Sequence, residues 1–412
     1  MSNLRIKHPT KQLTGNITLP ASKSICNRVL VLNKVLSSNT VIQNMSTADD
    51  CLIMQHALQQ TQGSVDVKNA GTCMRFLTAY YASTPHTNVI LHGSERMHNR
   101  PIGALVNALI QLGADIDYID KEGFPPLRIK GKNLHGGVAT VDASISSQFV
   151  SALMLVAPNF KNGLSIRLGK HTVSKPYISL TSDVLKQFGV DVTLQDDVVI
   201  RPYHTLTKTE TFFIEPDWSA AAFWYQLLAM AVSGNIQLNN IKPKSAQGDA
   251  MIAEYMESLG VNTIYTKQGS TLDKNNNILE QAHYDMLNYP DMVPAMAVLM
   301  CALNIPCTFV NVTHLQAKES KRLTVLCKEL VKCGFDISNN GNELLINKIE
   351  KESLIKPISI NTYQDHRMAM AFAPLALLFN DLVINDSQVV EKSYPHFWDD
   401  LRKVGFEITT EP

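Results

Sequence analysis

Apolar and polar residues alternate over residues 4–6, 16–19, 198–201 and 212–215, which predicts short strands with one buried face. Longer stretches open on polar residues and continue apolar. They predict helices over 22–36, 72–82, 146–157, 174–188, 218–232, 290–303, 318–333 and 366–378. These pieces do not repeat residue by residue, yet their order predicts a recurring strand–helix unit. Glycine and proline fall mainly between the pieces, and no low-complexity linker divides the chain.

Length and composition narrow the class. A chain of 412 residues has material for two or three domains, and 45% hydrophobic with 18% charged residues excludes intrinsic disorder. The 37 basic and 37 acidic side chains balance, which argues against a nucleic-acid partner and leaves room for a local basic pocket. The most apolar stretch, 218–232, is interrupted by Ser219 and Gln226 and is short for a membrane span. The amino terminus lacks the apolar run of a signal peptide, so a cytoplasmic protein is expected. Seven scattered cysteines read as reduced thiols, and the absence of CxxC or zinc-like His/Cys spacing predicts no metal.

Candidate chemistry gathers at the helix openings. Ser22, Lys23 and Ser24 precede one helix; Asn69, Gly71 and Thr72 another; Ser146, Ser147 and Gln148 a third; Ser174 a fourth. Unpaired N–H groups and the positive end of the dipole suit such openings to anions. Ser, Thr and Asn are also ordinary N-caps, but capping has no need of Lys23, Arg28, Arg75 or Arg100. Other single residues carry two readings. Asp291, after a proline, reads as an N-cap or a base, Glu319 as a solvated first-turn acid or an active one, and His366 as structural or as a proton carrier. Arg75 and Lys175 read as supports for the openings, and Tyr394, Phe397 and Trp398 as core.

The segments Leu19-Pro-Ala-Ser-Lys-Ser-Ile-Cys-Asn-Arg28, Asn69-Ala-Gly-Thr-Cys-Met-Arg75, Arg96-Met-His-Asn-Arg-Pro-Ile102, Ser144-Ile-Ser-Ser-Gln148 and Val173-Ser-Lys-Pro-Tyr177 follow one another in order. Farther on come Pro290-Asp291, Lys318-Glu-Ser-Lys-Arg322, Thr362-Tyr-Gln-Asp-His-Arg367 and Lys392-Ser-Tyr-Pro395. In this order they resemble the 5-enolpyruvylshikimate-3-phosphate synthases over nearly the whole chain. The resemblance implies transfer of the enolpyruvyl group of phosphoenolpyruvate to the 5-hydroxyl of shikimate 3-phosphate, with release of phosphate and no cofactor. It implies an α/β (α+β) fold of two similar domains joined by a two-strand hinge. Each domain would be built of βαβαββ units around buried helices, of inverse α/β barrel type. The domains would span 21–214 and 1–20 with 215–412, with the active site in the cleft between them.

Carried over by motif, Lys23, Asn69, Gly71, Arg100, Gln148, Arg322, Arg367 and Lys392 would bind phosphoenolpyruvate. Lys23, Ser24, Arg28, Ser146, Ser147, Gln148, Ser174, Tyr177, Asp291, His314 and Lys318 would hold shikimate 3-phosphate. Asp291 would accept the hydroxyl proton, Glu319 would serve the acid step, and Lys23 would assist both substrates. Two anionic substrates need this many cations, and arginine suits bidentate contacts. The resemblance also implies a cytoplasmic monomer acting on small molecules, with no membrane or nucleic-acid partner, and inhibition by glyphosate at the phosphoenolpyruvate site. There Gly71 is expected to leave space that an alanine methyl would close.

Several positions depart from the family pattern. Phe76 stands where proline is common, Asn99 for glutamate, Pro216 for glycine, His314 for asparagine and Lys321 for an acid. Only eighteen residues separate Asp50 from Asn69, so one repeated unit is expected to be abbreviated. Two alternatives remain open: a UDP-N-acetylglucosamine enolpyruvyl transferase, and a non-catalytic paralogue that binds shikimate 3-phosphate. The first uses a mobile-loop cysteine, and none lies between Arg96 and Arg100; the second would have lost Asp291 or Glu319, and both are present.

Overall fold

A computed structural model describes residues 2–169, 171–203, 210–350 and 358–411. The chain divides into two compact units, Ala21–Ile214 and Met1–Pro20 with Glu215–Pro412, so it passes between them twice.

The second of these units holds three four-stranded sheets. In sheet order they are Ile358–Ile360, Leu382–Ile384, Asn3–Lys7, Glu407–Glu411; then Val261–Tyr265, Gly269–Lys274, Ser233–Asn239, Gln12–Ile17; then Ala282–Asp285, Cys307–Val310, Glu343–Ile346, Ile337–Asn339. Each has one parallel pair at an edge and two antiparallel pairs. The other unit repeats that pattern twice, in sheets ordered Gln62–Asp66, Asn88–His92, Leu127–Lys130, Asp115–Tyr118 and Val192–Leu194, Asp197–Ile200, Leu164–Leu168, Gly137–Val141. Parallel strands need a crossover, and antiparallel ones a hairpin, so one parallel and two antiparallel pairs are the signature of a βαβαββ unit.

The sixth sheet has two described strands, Val41–Gln43 parallel to Thr211–Phe213. Between Asp50 and Asn69 there is room for the helix Asp49–Ala57 and the strand Gln62–Asp66, which belongs to the next sheet. Among the described residues no hairpin completes the sixth sheet, in keeping with the short spacing between Asp50 and Asn69.

Strand alternation follows from one-sided burial. In Asn3–Lys7, Leu4 and Ile6 point inward while Arg5 and Lys7 stay exposed. The central helices are apolar nearly all round because they pack on every side. Trp218–Met230 and Val293–Leu303 fill one unit, and Gly71–Ser83 and Gln148–Val156 the other. Among the described residues no helix is long and apolar enough to cross a membrane.

Some boundaries move from the sequence reading. The helix expected from 290 begins at Val293, with Pro294 in its first turn, where a missing N–H costs nothing. The helix expected from 318 begins at Arg322, because Thr313–Ala317 forms a separate 3-10 turn and Lys318 closes it. The run from His366 is α-helical to Phe372 and then tightens to 3-10 over Ala373–Leu377 around Pro374. The strands expected over 16–19 and 212–215 lie at Gln12–Ile17 and Thr211–Phe213.

Candidate active site

In the unit containing Glu215–Pro412, one arginine organises the charged cluster. Arg322 is 0% exposed and opens the helix Arg322–Lys332. Its Nε donates to Asp365 Oδ2 at 3.0 Å, Nη1 to Asp291 Oδ1 at 3.1 Å and Nη2 to Glu319 Oε2 at 2.8 Å. Arg367 Nη2 lies 3.0 Å from Asp291 Oδ2, and its Nη1 donates to the Asp291 carbonyl at 3.2 Å. Lys392 Nζ sits 3.3 Å from Glu319 Oε1. Asp291 and Glu319 are thereby both bound to Arg322, and each has a second cation of its own.

Local structure explains the placement. Asp291 precedes its helix by two residues, and Met292 holds the N-cap position. Glu319 lies in the turn before Arg322 and not in a first helical turn, so both bland readings of these acids fall away. Asp365 is the N-cap of His366–Phe372, accepting from Arg367 N at 3.0 Å, and also accepts from Ser320 Oγ at 2.8 Å. Tyr363 and Gln364 before it have φ of 53° and 56°, a conformation non-glycine residues rarely adopt. That turn is held by Glu329, whose Oε1 accepts from the Tyr363 hydroxyl at 2.6 Å and Oε2 from Asn361 N at 3.2 Å. His366 is buried, with Nδ1 3.9 Å from Asp365 Oδ1.

The electrostatics follow from these contacts. Burial alone would raise the Asp291 carboxyl, but Arg367, then Lys318 and Arg322, outweigh it and hold the group well below the usual carboxylate range. Arg322 loses by burial yet is raised overall by Asp365, Glu319 and Asp291. Burial lowers Lys318, partly offset by Asp291. His314 is pushed down to about 3, by burial first and then by Lys318, so it is neutral at pH 7. Its buried Nε2 has no hydrogen-bond partner among the described residues.

The unit Ala21–Ile214 carries a second set of groups. Lys23 opens the helix Lys23–Val35 behind a Ser22 cap, and its Nζ lies 3.1 Å from the buried Asp50. Asp50 is in turn joined to the next helix, since Cys73 Sγ donates to its carbonyl at 3.0 Å. In the helices Gly71–Ser83, Gln148–Val156 and Lys175–Gln187 the residue at the N-cap position makes no side-chain cap bond, which suits these starts to a ligand or water. Gln148 Nε2 donates to Thr72 Oγ1 at 3.2 Å, and Gln148 N donates to Ser146 Oγ at 3.2 Å. Ser94 donates to Asn69 Oδ1.

Gly71 and Arg100 explain each other. A Cβ on Gly71 would lie 2.8 Å from the Arg100 guanidinium carbon, so glycine is what lets this guanidinium rest against the helix start. The space beside Gly71 belongs to Arg100, which revises the expectation of open room for a ligand. Arg100 Nε and Nη1 are buried with no hydrogen-bond partner among the described residues. Arg75 braces this corner by donating to the carbonyls of Gly71 at 3.1 Å and Pro101 at 3.0 Å.

Arg28 is buried and its donors are largely committed. Nε donates to Thr181 Oγ1 at 2.8 Å, Nη1 to the Ser24 carbonyl at 2.8 Å, and Nη2 to Ser151 Oγ at 3.2 Å and the Tyr177 carbonyl at 3.3 Å. Its guanidinium carbon also lies 5.3 Å from the Phe76 ring centre and 5.8 Å from that of Tyr177. Phe76 thus sits in the interior of a regular helix and packs on Arg28, without disturbing the start at Gly71. Ser147 is the N-cap residue of its helix, and Ser174 precedes its own in the left-handed region at φ 55°.

Sequence reasoning missed Asp50, Asp365 and Ser320. Asp365 carried a signal, an acid directly before an apolar helical run; Asp50 carried none, because its partner Lys23 is remote in sequence. All seven cysteines are buried, and none is joined in a disulfide. Among the described residues no group of three or more His, Cys, Asp or Glu side chains could hold a metal ion.

Comparison with known proteins shows the family. The family model for EPSP synthase (3-phosphoshikimate 1-carboxyvinyltransferase) matches residues 7–65 and 59–401. A 3-phosphoshikimate 1-carboxyvinyltransferase of Bacteroides fragilis (strain YCH46) is 43% identical over 404 residues, covering 96% of this chain and 97% of the relative. One from Marinomonas sp. (strain MWYL1) is 32% identical, covering 95% and 97%. In fold, the chain is similar to the structure of EPSP synthase from Acinetobacter baumannii, with a TM-score of 0.79 at 19% identity over 100% of both chains. A family match across almost every element that carries the charged cluster leaves one assignment: this chain belongs to the EPSP synthase family.

Proposed function

We propose that this enzyme transfers the enolpyruvyl group of phosphoenolpyruvate to the 5-hydroxyl of shikimate 3-phosphate, releasing phosphate. The reaction belongs to the shikimate route to chorismate and the aromatic amino acids. The observation that carries the reading is the pairing of Asp291 and Glu319 on the single buried Arg322, with Arg367 and Lys392 on their far sides. Two carboxylates with different partners suit one proton accepted and another delivered.

In this reading Asp291 takes the proton of the 5-hydroxyl as that oxygen attacks C2 of phosphoenolpyruvate, and Glu319 protonates the methylene carbon. The tetrahedral adduct then loses phosphate and a methyl proton to restore the double bond, with no covalent bond to the protein. A carboxylate held as low as Asp291 is a poor base on its own. Phosphoenolpyruvate supplies the remedy, because its own negative groups would engage Arg322 and Arg367 and leave Asp291 less stabilised as an anion. The pairs that Asp291 makes with Arg322 and Arg367 are then internal stand-ins for substrate.

The remaining roles are assigned by residue type and place. Lys23, Asn69, Gly71, Arg100 and Gln148 join Arg322, Arg367 and Lys392 as the phosphoenolpyruvate set, supported by the unpaired donors of Arg100. Lys23, Ser24, Arg28, Ser146, Ser147, Gln148, Ser174, Tyr177, Asp291, His314 and Lys318 serve shikimate 3-phosphate. His314 does so as a neutral donor, supported by its unpartnered Nε2. The domain roles go with these assignments, as do a cytoplasmic setting and a monomer, which gel filtration would check. The test of the reaction is phosphate release from phosphoenolpyruvate with shikimate 3-phosphate or UDP-N-acetylglucosamine as acceptor. Release with the first acceptor alone is expected, and release with the second alone would select the alternative enzyme.

Gly71→Ala provides a sharper check on the anion site. The new methyl meets the Arg100 guanidinium before it meets any ligand. Loss of a charge-assisted contact should raise the KM for phosphoenolpyruvate by at least about tenfold. Glyphosate should weaken alongside it, in titrations run at several phosphoenolpyruvate concentrations. A variant that lost glyphosate affinity alone would show that the inhibitor, and not Arg100, feels the methyl.

A further inference from the structure

The turn that carries Asp365 and leads to Arg367 has an unusual make-up. Asp365 N donates to the Thr362 carbonyl at 2.9 Å, closing four residues whose central pair, Tyr363 and Gln364, has φ of 53° and 56°. Glycine, asparagine and aspartate dominate such central positions, because a larger side chain crowds its own backbone there. Two adjacent residues of other types are costly in this conformation, so their surroundings must hold the turn.

Glu329 supplies that hold. Its side chain is 0% exposed on the helix Arg322–Lys332. Oε1 accepts from the Tyr363 hydroxyl at 2.6 Å and Oε2 from Asn361 N at 3.2 Å. Burial, and then Glu329, push the Tyr363 hydroxyl up to about 12, so at neutral pH it keeps the proton it donates. Lys332 is a further partner of Glu329, with Nζ 2.8 Å from Oε2. A helix-surface ion pair of this spacing is ordinary and solvated; it needs neither a fully buried carboxylate nor a tyrosine in the left-handed region.

Glu329 and Arg322 are seven residues apart, two helical turns, and so share one face of their helix. Arg322 Nε donates to Asp365 Oδ2 at 3.0 Å. One helix thus grips the segment at both ends, at Asn361 and Tyr363 through Glu329 and at Asp365 through Arg322.

We propose that Glu329 is a positioning residue for the phosphoenolpyruvate site: through the Tyr363 hydroxyl it holds the left-handed turn that sets where Arg367 points. This rests on the function proposed above. Arg367 follows the turn directly, its N–H donates to Asp365 Oδ1 at 3.0 Å, and its guanidinium lies 3.0 Å from Asp291. A shift in the turn therefore moves a ligand of phosphoenolpyruvate. The shikimate 3-phosphate set holds no residue of this turn, so its binding should be indifferent.

The test compares the parent with Tyr363→Phe, Glu329→Gln and the double variant Tyr363→Phe with Gln364→Gly. Each is measured by steady-state kinetics, by equilibrium titration of shikimate 3-phosphate and by denaturant unfolding. Tyr363→Phe removes one hydroxyl at a half-buried residue and keeps the ring, whose centre lies 5.7 Å from Lys328 Nζ. It should raise the KM for phosphoenolpyruvate by about three- to tenfold, with kcat changed less and shikimate 3-phosphate affinity unchanged. Gln364 is exposed, and Gln364→Gly adopts the left-handed conformation freely, so the double variant should return the KM toward the parent value. Glu329→Gln should move the KM the same way and also lower the unfolding midpoint, because an amide has a single oxygen for donors that now reach two. An unchanged phosphoenolpyruvate KM in Tyr363→Phe and Glu329→Gln, beside a lowered midpoint, makes Glu329 a stability residue and overturns the proposal. A raised KM that Gln364→Gly leaves untouched overturns it too, since the turn is then not the link. A parent that releases no phosphate overturns the functional reading, and this role with it.

Discussion

Asp291→Asn is expected to cut kcat by about a hundredfold to ten-thousandfold, the range that a positioned general base contributes. Shikimate 3-phosphate should bind far less differently, because asparagine keeps the shape and still offers an oxygen to Arg322 or Arg367. The size of the loss comes from the chemistry. The amide cannot accept the hydroxyl proton, and the 5-oxygen must attack without its help. Equilibrium titration of shikimate 3-phosphate, run beside turnover, separates the two effects. If turnover stays near the parent value, Asp291 is a ligand and not the base.

Arg322→Met is expected to damage both fold and function. Arg322 is the shared partner of Asp291, Glu319 and Asp365, and Asp365 is 0% exposed. Removing one member of a buried ion network leaves charge without compensation and costs about 3–5 kcal/mol. Asp365 keeps Ser320 and its own cap bond to Arg367 N, so the helix start should survive while the cluster around it loosens. Denaturant unfolding should show a lower midpoint with little change in slope. The double variant Arg322→Met with Asp365→Asn should recover part of the loss, because the orphaned charge is then gone. No recovery would place the cost elsewhere than in the carboxylate.

How far the sequence could be read depends on the kind of interaction. The helix expected over 22–36 appears as Lys23–Val35 because its cap and its apolar run are both local. Buried helices such as Trp218–Met230 were legible for the same reason. The helix Arg322–Lys332 was begun four residues early, since polarity alone does not distinguish a 3-10 turn from the first turn of an α-helix. Asp49–Ala57 and Gly103–Gln111 went unread: the first is weakly amphipathic, and the second is apolar over most of its length. At the site, motif order identified Asp291, Glu319, Arg322 and Arg367. It did not reveal that all four share one network, or that Asp50 opposes Lys23. Those are contacts across sequence separations that no spacing rule spans. Arg100 is the instructive case: the glycine was legible as a close-approach position, but what approaches it is a side chain of the protein itself.

The most direct measurement of the central claim is a proton and phosphorus NMR time course of the purified chain with both substrates in deuterium oxide. Protonation of the methylene carbon followed by loss of a methyl proton should place deuterium in the vinyl group of a shikimate product. One inorganic phosphate should appear per product, and the 3-phosphate should remain attached. Phosphate appearing with pyruvate instead of a vinyl ether, or both substrates persisting unchanged, would contradict enolpyruvyl transfer by this protein.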